Sequence, residues 1–416
     1  MVETAKTTQH ADIAIAGGGY AALALALALR QGLGPQAAVL VCDPVLARPS
    51  AGDGRASAIA AAGRRLLEAL GVWARLAASA QPIREMTITD SRTGDAVRPA
   101  LLTFAGEVEP GEPSAYIIEN RVLHDALAAA CRDAGLTLLA RPVARAQDTG
   151  KDTGEAITAH LNDGSRVTAR LLVAADGGRS HLRERAGIGI FNRDYGQSGI
   201  VATLGCERDH EGRAEEHFLP SGPFAFLPMT GQRGSIVWTE TSEAAARYCR
   251  LPAELFLDEV ARRLGHHLGA LTLLEPPQAF PLRLMIAREF YRGRLVLVGD
   301  AAHIVHPIAG QGLNLGLRDV AALAESIVDA ARLGLDIGGP DVLERYARWR
   351  RFDTFTMAAA TDALIRLFSN DFDPLRLVRG IGLGVVDRMP GLKQVFVREA
   401  SGFGGEVPRL LRGERI

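Results

Sequence analysis

The sequence predicts an α/β fold built on an open, mostly parallel sheet, and three observations support this class. Each is a short apolar run that ends in glycine or in an acid: one leads to Gly17, one to Asp176 and one to Asp300. Apolar runs of this length are typical of strands that are buried on both faces. Because ligands bind at the carboxyl ends of such strands, we expect the three junctions to meet at one site.

The first junction opens a strand-helix-strand unit. The segments ADIAIAGGG, YAALALALALRQG and AVLVCD predict a strand, a helix closed by Gly32 and a second strand that ends in Asp43. The pattern G-x-G-x-x-A at Gly17, Gly19 and Ala22 supplies a tight turn, a close approach for a pyrophosphate and a small contact between helix and strand. Asp43 stands where an acid can accept hydrogen bonds from a ribose. The unit is therefore Rossmann-like and predicts a dinucleotide site.

The second and third junctions, RLLVAADGGRS and RLVLVGDAAH, place Asp176 and Asp300 after apolar strands. Either acid could instead cap the helix that follows it. For Asp300 this alternative is weaker, because Gly299 precedes it and a glycine-rich loop, HPIAGQG, comes soon after. Glycines clustered in this way let a backbone lie close to a ligand.

The composition is that of a globular protein and excludes several other classes. The 416 residues are 47% hydrophobic and 23% charged, and the formal charge is -1, so no basic field predicts nucleic-acid binding. The four cysteines lack C-x-x-C spacing, which suits a reducing compartment such as the cytoplasm. No histidine or cysteine pattern predicts a metal site. Three glycines interrupt the apolar segment 13–29, so we expect a buried strand and helix there rather than a membrane span.

Three motifs together resemble a known family. GGGYAA, ADGGRS and GDAAHIVHPIAGQGLNLGLRD are similar to motifs of the flavoprotein aromatic hydroxylases of the para-hydroxybenzoate hydroxylase class. Residues 306–319, HPIAGQGLNLGLRD, more narrowly resemble the ubiquinone-biosynthesis monooxygenases, which act on polyprenylated phenols. GDGRASAIAAAGRRLLEALGVW and the closing RMPGLKQVFVREASGFGGEVPRLLRGE extend the likeness nearly end to end. The resemblance implies FAD as the cofactor and O2 as a co-substrate.

The resemblance also implies roles for the glycine-rich loop. Gly310 and Gly312 would leave space for the flat isoalloxazine ring. The helix that starts near Leu313 and Asn314 would present free N–H groups to the negative charge of reduced flavin. Asp300 would accept a hydrogen bond from a ribityl hydroxyl. The full set of expected cofactor-binding positions is Gly17, Gly19, Ala22, Asp43, Arg55, Arg121, Asp176, Gly299, Asp300, Gly310, Gly312, Leu313 and Asn314.

Two arginines and two histidines each have two possible roles. The resemblance implies that Arg55 and Arg121 approach the phosphates or the ribityl chain, although each could be a surface ion-pair partner. No acid-base pair is evident in the sequence. His303 and His306 flank the loop and are candidates to relay a proton from the phenol, but hydrogen bonding to the backbone is the commoner role of such histidines. Pro307 beside them stiffens the loop and completes the catalytic candidates.

The chain is expected to divide into three parts. We predict an FAD-binding domain from residues 1–80, 116–181 and 286–335, an inserted β-rich substrate domain from residues 81–115 and 182–285, and a helical C-terminal region from residues 336–416. Four aromatic residues of the inserted domain either line the substrate cavity or pack in a core: Phe218, Phe224, Phe226 and Trp238. The segment 364–384 mixes apolar residues with Arg366, Arg376 and Arg379, so it either lies on a membrane surface or packs against its own domain.

The function implied by the resemblance is FAD-dependent hydroxylation of the ring of a polyprenylated phenol in ubiquinone biosynthesis, through a flavin C4a-hydroperoxide. One alternative is a hydroxylase of a small soluble phenol, and another is a non-catalytic FAD-binding scaffold subunit of a quinone-synthesis complex. The intact GQGLN and both strand-end acids speak against the scaffold. The sequence leaves open whether NAD(P)H or a ferredoxin supplies electrons. A lipid substrate implies a cytoplasmic protein that contacts the inner face of the membrane or joins a ubiquinone-biosynthesis complex.

Overall fold

Two β-sheets that meet along a deep cavity form the framework of the computed structural model. The structure describes residues 8–47, 54–93, 99–148, 156–368 and 390–416. The first sheet has a parallel centre, and the second sheet is mainly antiparallel and carries two helices on its outer face. Long helices follow near the C-terminus. The predicted α/β class, with a β-rich second part and a helical C-terminal region, is confirmed.

Strands and helices alternate within residues 8–148. The strands are β1 (Thr8–Ala16), β2 (Val39–Cys42), β3 (Ala56–Ala60), β4 (Gln81–Pro82), β5 (Glu85–Asp90), β6 (Leu102–Ala105), β7 (Glu107–Glu109), β8 (Glu112–Pro113), β9 (Ala115–Glu119), β10 (Thr137–Leu139) and β11 (Val143–Asp148). The helices are α1 (Tyr20–Leu33), α2 (Ala61–Ala69), α3 (Trp73–Leu76) and α4 (Asn120–Asp133).

Residues 156–416 begin with strands and end with helices. The strands are β12 (Ile157–Leu161), β13 (Arg166–Ala174), β14 (Ile190–Cys206), β15 (Arg213–Leu219), β16 (Gly222–Met229), β17 (Arg233–Thr241), β18 (Leu271–Leu273), β19 (Gln278–Ala287), β20 (Tyr291–Arg292), β21 (Leu295–Leu297) and β22 (His303–Ile304). The helices are α5 (His181–Arg185), α6 (Ser242–Tyr248), α7 (Ala253–Leu264), α8 (Gln311–Arg332), α9 (Pro340–Phe368) and α10 (Pro390–Ala400).

The first sheet aligns the strand ends that the sequence predicts to meet. Its strands follow the order β10-β2-β1-β13-β12-β11, and β21 pairs with β13. Strands β2, β1, β13 and β21 are parallel, and their last residues are in register: Ala16 pairs with Cys42 and with Ala174, and Ala174 pairs with Leu297. The carboxyl ends of four strands therefore form one row along the edge of this sheet.

Helix α1 is buried on every side because it packs between the first sheet and α8. All residues from Ala22 to Leu29 are buried. The helix ends at Leu33, and Gly34, with a φ of +85°, terminates it. The prediction that Gly32 closes this helix is wrong. Gly32 instead permits close helix packing, because a Cβ there would lie 2.4 Å from the side chain of Val328 on α8.

The second sheet follows the order β22-β19-β14-β17-β16-β15-β5-β6, and its two faces have different surroundings. Phe224, Phe226 and Trp238 pack beneath α6 and α7 on the outer face. Phe218 lies on the opposite face, where its ring stacks on Phe368 with centroids 4.1 Å apart. Three of the four aromatic residues therefore fill a core behind the sheet, and none of the four lines the cavity.

Several elements cross or modify the predicted domain boundaries. Strand β19 continues to Ala287, and β22 joins the second sheet although it belongs to the segment 286–335. Helices α6 and α7 lie in the segment that the sequence predicts to be β-rich. Because β22 pairs with β19, the glycine-rich loop that follows β22 leaves directly from the second sheet. That loop then enters α8, which packs on α1, so the two parts of the molecule share it.

Helix α9 packs on α8 and opens the C-terminal region. Near its end Phe368 is buried and Leu367 is exposed, and Arg366 forms an ion pair within the helix. The other two arginines of the predicted membrane segment, Arg376 and Arg379, lie outside the described residues. Among the helices that the structure describes, none has an apolar stretch long enough to cross a bilayer.

A buried charge network ties α8 and α9 to the end of β21. The Asp319 carboxylate on α8 accepts hydrogen bonds from the Gly299 N–H at 2.8 Å and from His303 Nε2 at 2.7 Å. Its other oxygen accepts a hydrogen bond from Arg350 Nε on α9 at 2.7 Å. Burial alone would raise the pKa of Asp319, but His303 and Arg350 outweigh it and lower the pKa. The ionised carboxylate therefore holds the turn after β21 against both helices.

Replacing Asp319 with asparagine should destabilise the fold by about 3 kcal/mol, because the buried Arg350 loses a counter-charge. Urea unfolding of the purified protein at pH 7 measures this change. The matched control is Asp329→Asn on the same helix, whose ion pairs with Arg345 and Arg409 are partly exposed and should contribute less than about 1 kcal/mol. Equal effects of the two substitutions would contradict the central role of Asp319.

Candidate active site

A cavity of about 620 Å³ lies between the two sheets. One wall consists of the start of α1, the ends of β13 and β21, and the start of α8. The opposite wall is the inner face of the second sheet. Nine of the predicted cofactor-binding positions line the cavity: Gly19, Ala22, Arg55, Gly299, Asp300, Gly310, Gly312, Leu313 and Asn314. A volume of this size is ordinary for a cofactor or substrate site.

The glycine turn after β1 opens the cavity wall at the start of α1. Gly17 has a φ of +130°, and a Cβ there would lie 2.1 Å from the carbonyl oxygen of Ala175, so only glycine fits. Gly18 donates its N–H to Asp43 Oδ2 at 2.9 Å. A Cβ at Gly19 would meet no atom within 4 Å, which leaves open space in front of the helix N-terminus. Free N–H groups in that position suit a phosphate.

Asp176, the acid of the second junction, uses one carboxylate oxygen to support a helix and leaves the other unpartnered within the described part of the chain. Asp176 Oδ2 accepts a hydrogen bond from the Leu182 N–H at 3.3 Å, as expected for an acid that supports a helix N-terminus. Its Oδ1 is buried and has no partner within the described part of the chain. Ala175 and Gly177 line the cavity, whereas Asp176 does not. The helix-capping alternative therefore describes one of the two carboxylate oxygens.

The third junction places an acid on the cavity wall. Gly299, with a φ of +62°, starts the turn that presents Asp300. Burial of the site raises the pKa of Asp300, while the charges of His303, Arg55 and Arg283 act in the opposite direction. Arg55 also lines the cavity, and its guanidinium lies 4.8 Å from the centre of the Phe280 ring. An acceptor for sugar hydroxyls and a cation thus share this end of the cavity.

The start of α8 faces the cavity without side chains in the way. Gly310 has a φ of +63°, and a Cβ at Gly312 would meet no atom within 4 Å. The Asn314 side chain is fully engaged, because Oδ1 accepts from the Ala60 N–H and Nδ2 donates to the carbonyl oxygen of Ala58, both at 3.0 Å. Asn314 therefore fixes the helix start against β3. The first backbone N–H groups of the helix remain available to a ligand.

The two candidate histidines have different surroundings. His303 does not line the cavity, and its ring is bound to Asp319. His306 and Pro307 do line it. Burial lowers the pKa of His306 to about 4, and its Nδ1 accepts the N–H of Ile308 at 3.2 Å. His306 is therefore neutral at physiological pH and serves the loop backbone, which is the commoner role expected from the sequence.

Four predicted site residues lie away from the cavity wall. Gly17 and Asp43 support the first turn from behind, and Asp176 supports α5. Arg121 is about half exposed, at 52% for its side chain, and lies 4.0 Å from Glu119. This is the surface ion pair that was the alternative for Arg121. Direct contacts of Asp43, Arg121 and Asp176 with a cofactor stay predictions.

The structure also reveals functional candidates that were missed in the sequence. Asp319 and Arg350 form the network behind Asp300, and Glu216 on β15 presents a second carboxyl group to the cavity. Burial raises the pKa of Glu216 to about 7. A signal for Glu216 exists in the strand RAEEHFL, because residues two apart share a face and an acid stands between Ala214 and Phe218.

These features fit FAD. The open backbone before α1 suits the pyrophosphate, Asp300 suits a hydroxylated chain, and the bare backbone at Gly310 and Gly312 suits a flat ring. The positive end of the α8 dipole lies where the reduced ring collects negative charge. Each of these assignments is an expectation for the named residue.

Comparison with known proteins identifies the class. The family model described as FAD binding domain matches residues 10–354. The chain is 46% identical over 415 residues to ubiquinone hydroxylase UbiL of Rhodospirillum rubrum, covering 99% of this chain and 94% of that protein. It is 35% identical over 410 residues to 3-demethoxyubiquinol 3-hydroxylase of Escherichia coli, and the alignment covers 95% of this chain and 100% of that protein. The solved structure of p-nitrophenol 4-monooxygenase PnpA from Pseudomonas putida DLL-E4 superimposes with a TM-score of 0.78 at 18% identity. The superposition covers 96% of this chain and 99% of that one.

Fold and site together define the class of FAD-dependent monooxygenases. Within that class, the chain belongs to the family of ubiquinone-biosynthesis hydroxylases. The predicted family, FAD as cofactor and enzymatic character are confirmed.

Replacing Gly312 with valine should abolish or greatly weaken FAD binding while the free energy of unfolding of the apoprotein changes by less than about 1 kcal/mol. The reason is that a side chain at this position enters open cavity space and strains nothing. FAD fluorescence titration and urea unfolding measure the two effects. Gly310→Ala is the contrasting variant, because a φ of +63° and a Cβ 3.2 Å from that of Ala58 should make it destabilising by roughly 1–2 kcal/mol. Normal FAD affinity in the Gly312 variant would place the flavin elsewhere.

Proposed function

We propose that this enzyme hydroxylates the aromatic ring of a polyprenylated phenol in ubiquinone biosynthesis. The observation that supports the proposal most is the continuity of one cavity from the FAD-binding elements to an apolar sheet face. Five apolar side chains on that face are Val201, Ala225, Leu227, Val237 and Leu282. The names of the two relatives above, a ubiquinone hydroxylase and a demethoxyubiquinol hydroxylase, point to the same substrate class.

The residues of the chain would contribute position, charge and exclusion of water. When bound and reduced, FAD supplies the activation of O2 and the transfer of one oxygen atom. The start of α8 would stabilise negative charge on the reduced ring, and Asp300 would hold the sugar chain. The apolar face of the second sheet would keep the phenol ring against the flavin and keep water away from the reaction.

We also propose that the enzyme takes its substrate from the inner face of the membrane. Phe352 and Phe355 on α9 are 75% and 69% exposed, and Arg348 and Arg351 are exposed beside them. Basic and aromatic side chains on one helix favour contact with anionic lipid. A second cavity of about 290 Å³ extends from Phe352 to residues of the α8 start that also line the main cavity.

The activity is tested with purified holoenzyme and a detergent-solubilised polyprenylphenol. We expect a yellow protein that releases FAD on denaturation, and a product with one added oxygen atom detected by mass spectrometry. Parallel reactions with NAD(P)H and with reduced ferredoxin identify the electron donor. Turnover of a small soluble phenol but not of the polyprenylphenol would favour the soluble-phenol alternative. An FAD-loaded protein without turnover of either phenol would favour the scaffold alternative.

Membrane contact is tested by co-sedimentation with anionic phosphatidylglycerol vesicles. We expect the wild-type protein to sediment at low salt, and a double variant, Phe352→Ser with Phe355→Ser, to sediment much less at unchanged FAD content. The control is the pair Leu255→Ser and Leu274→Ser, which removes two exposed apolar residues of the second part of the molecule. No sedimentation of the wild type would instead favour delivery by a partner in a ubiquinone-biosynthesis complex.

A further inference from the structure

Strand β15 carries two adjacent glutamates that face opposite sides of the second sheet. Glu215 lies on the outer face, where His217 and His267 contact its carboxylate at 3.1 and 2.8 Å. Burial opposes ionisation of Glu215, but the two histidines outweigh it and lower its pKa to about 2. Glu216 lies on the inner face and lines the cavity. Strand β15 therefore presents Glu215, which is paired with two histidines, to the core. It presents Glu216, which has no charged partner among the described residues, to the cavity.

The position of Glu216 along β15 brings it close to the glycine-rich loop before α8. Phe218, two residues further on the same face, packs against Ile308 in the loop that leads to Gly310. Ala214, two residues earlier, belongs to the cluster that contacts Ala58 on β3. Residues two apart on a strand are separated by about 7 Å. Glu216 is thus held between two contacts that both belong to the rim of the cofactor site.

The surroundings of Glu216 are apolar. Its neighbours across the adjacent strands are Ala225 on β16 and Ile88 on β5. Within the described part of the chain its carboxyl makes no hydrogen bond or ion pair, although only 7% of the residue is exposed. Burial without a partner raises its pKa to about 7. Such a group is suited to accept a hydrogen bond from a ligand. Burial of a carboxyl without a partner costs free energy, and a hydrogen bond from a ligand hydroxyl would offset that desolvation cost.

We propose that Glu216 hydrogen-bonds the ring hydroxyl of the phenol substrate and acts as the base that takes its proton. This role rests on the proposed hydroxylase function. The phenolic O–H bond breaks, the proton moves to a Glu216 carboxylate oxygen, and the electron pair stays on the ring oxygen. No group is oxidised or reduced in this step. The proton returns to the same ring oxygen when the hydroxylated ring regains aromaticity and releases the hydrogen of the attacked carbon as a proton.

Proton removal makes the ring a stronger nucleophile toward the oxygen that the flavin delivers. A phenol with a pKa near 10 keeps its proton at neutral pH, so a base within hydrogen-bond reach takes up the proton as the ring attacks. A base that titrates near neutrality is matched to that task. The other ionisable groups that line the cavity or flank β15 on this face are Tyr20, Arg55, Asp90, Asp300 and His306. Of these, Asp90 is aligned with Phe218 rather than with Glu216, and Asp300 belongs to the cofactor end.

Glu216→Gln in the holoenzyme removes the base and keeps the shape and the hydrogen-bonding ability of the side chain. We expect at least about a 100-fold loss of hydroxylation rate at pH 7, which is the usual contribution of a positioned base, with unchanged FAD affinity. The wild-type rate should rise with pH and level off above pH 7. The rate of the Glu216→Gln variant should instead keep rising toward pH 10, where the phenol loses its proton unaided. At pH 7 the reduced flavin of the variant should react with O2 without hydroxylating the phenol. Hydrogen peroxide should therefore accumulate in the variant.

The matched control is Glu215→Gln, the adjacent acid on the outer face. The hydroxylation rate of this variant should keep the wild-type pH profile. Loss of the contacts with His217 and His267 should affect only its thermal stability. Glu216→Asp should restore part of the rate, because it keeps a carboxylate at a shorter reach. A Glu216→Gln enzyme with the wild-type rate and pH profile would overturn the proposal. A wild-type enzyme that hydroxylates no polyprenylphenol would contradict the proposed function instead.

A binding measurement tests Glu216 independently of turnover. 4-Nitrophenol, whose phenolate absorbs visible light, is titrated with pH at saturating concentration on the wild-type holoenzyme and on the Glu216→Gln variant. Glu216 and the bound phenol should share one proton, and loss of that shared proton should require a higher pH because two adjacent negative charges repel each other. We therefore expect the phenolate absorbance to rise in two steps on the wild type, the second at least about one pH unit above the first, and in one step on the Glu216→Gln variant. The same single step on both proteins would overturn the role of Glu216 as the partner of the phenol hydroxyl.

Discussion

The carboxylate of Asp319 joins the parts of the chain that form the cofactor end of the cavity. It binds the Gly299 N–H at the end of β21, the ring of His303 and the guanidinium of Arg350 on α9. A fully buried carboxylate must be paired, so the position of each partner depends on the others. Asp300 follows Gly299 directly, and α8 carries both Asp319 and the glycine-rich start. The placement of the acid and of the helix dipole around FAD therefore depends on one charge network behind the site.

The cavity divides the chemistry between its two walls. Backbone N–H groups at two helix starts, together with Asp300 and Arg55, form a polar wall suited to a charged, hydroxylated cofactor. The opposite wall is the inner face of the second sheet, where small and apolar side chains surround Glu216. A carboxyl group in this setting can accept a hydrogen bond from a hydroxyl of a bound ring. The loop from β22 to α8 contacts both walls and connects them along the chain.

Local patterns predicted much of the local geometry of the polar wall. The glycine turn at Gly17, the strand-end positions of Asp176 and Asp300, and the bare backbone around Gly312 follow from chain-local rules: short buried strands, positive φ values and helix starts. Register then brings the strand ends into one row, as the parallel pairing of such strands requires. Roles that depend on a partner distant in sequence could not be predicted from local patterns. Gly32, expected to end α1, instead makes room for Val328, nearly three hundred positions away.

The sequence by itself determined the α/β class, the Rossmann-like start, the family and FAD, because each is encoded by residues close together in the chain. Only the tertiary structure decided what each ionisable side chain does. It pairs His303 with Asp319, turns Arg121 toward Glu119, and sends Glu215 and Glu216 to opposite faces of one sheet. Charge, pKa and hydrogen bonding depend on burial and on neighbours from other elements, and those neighbours are set by how the sheets and helices pack.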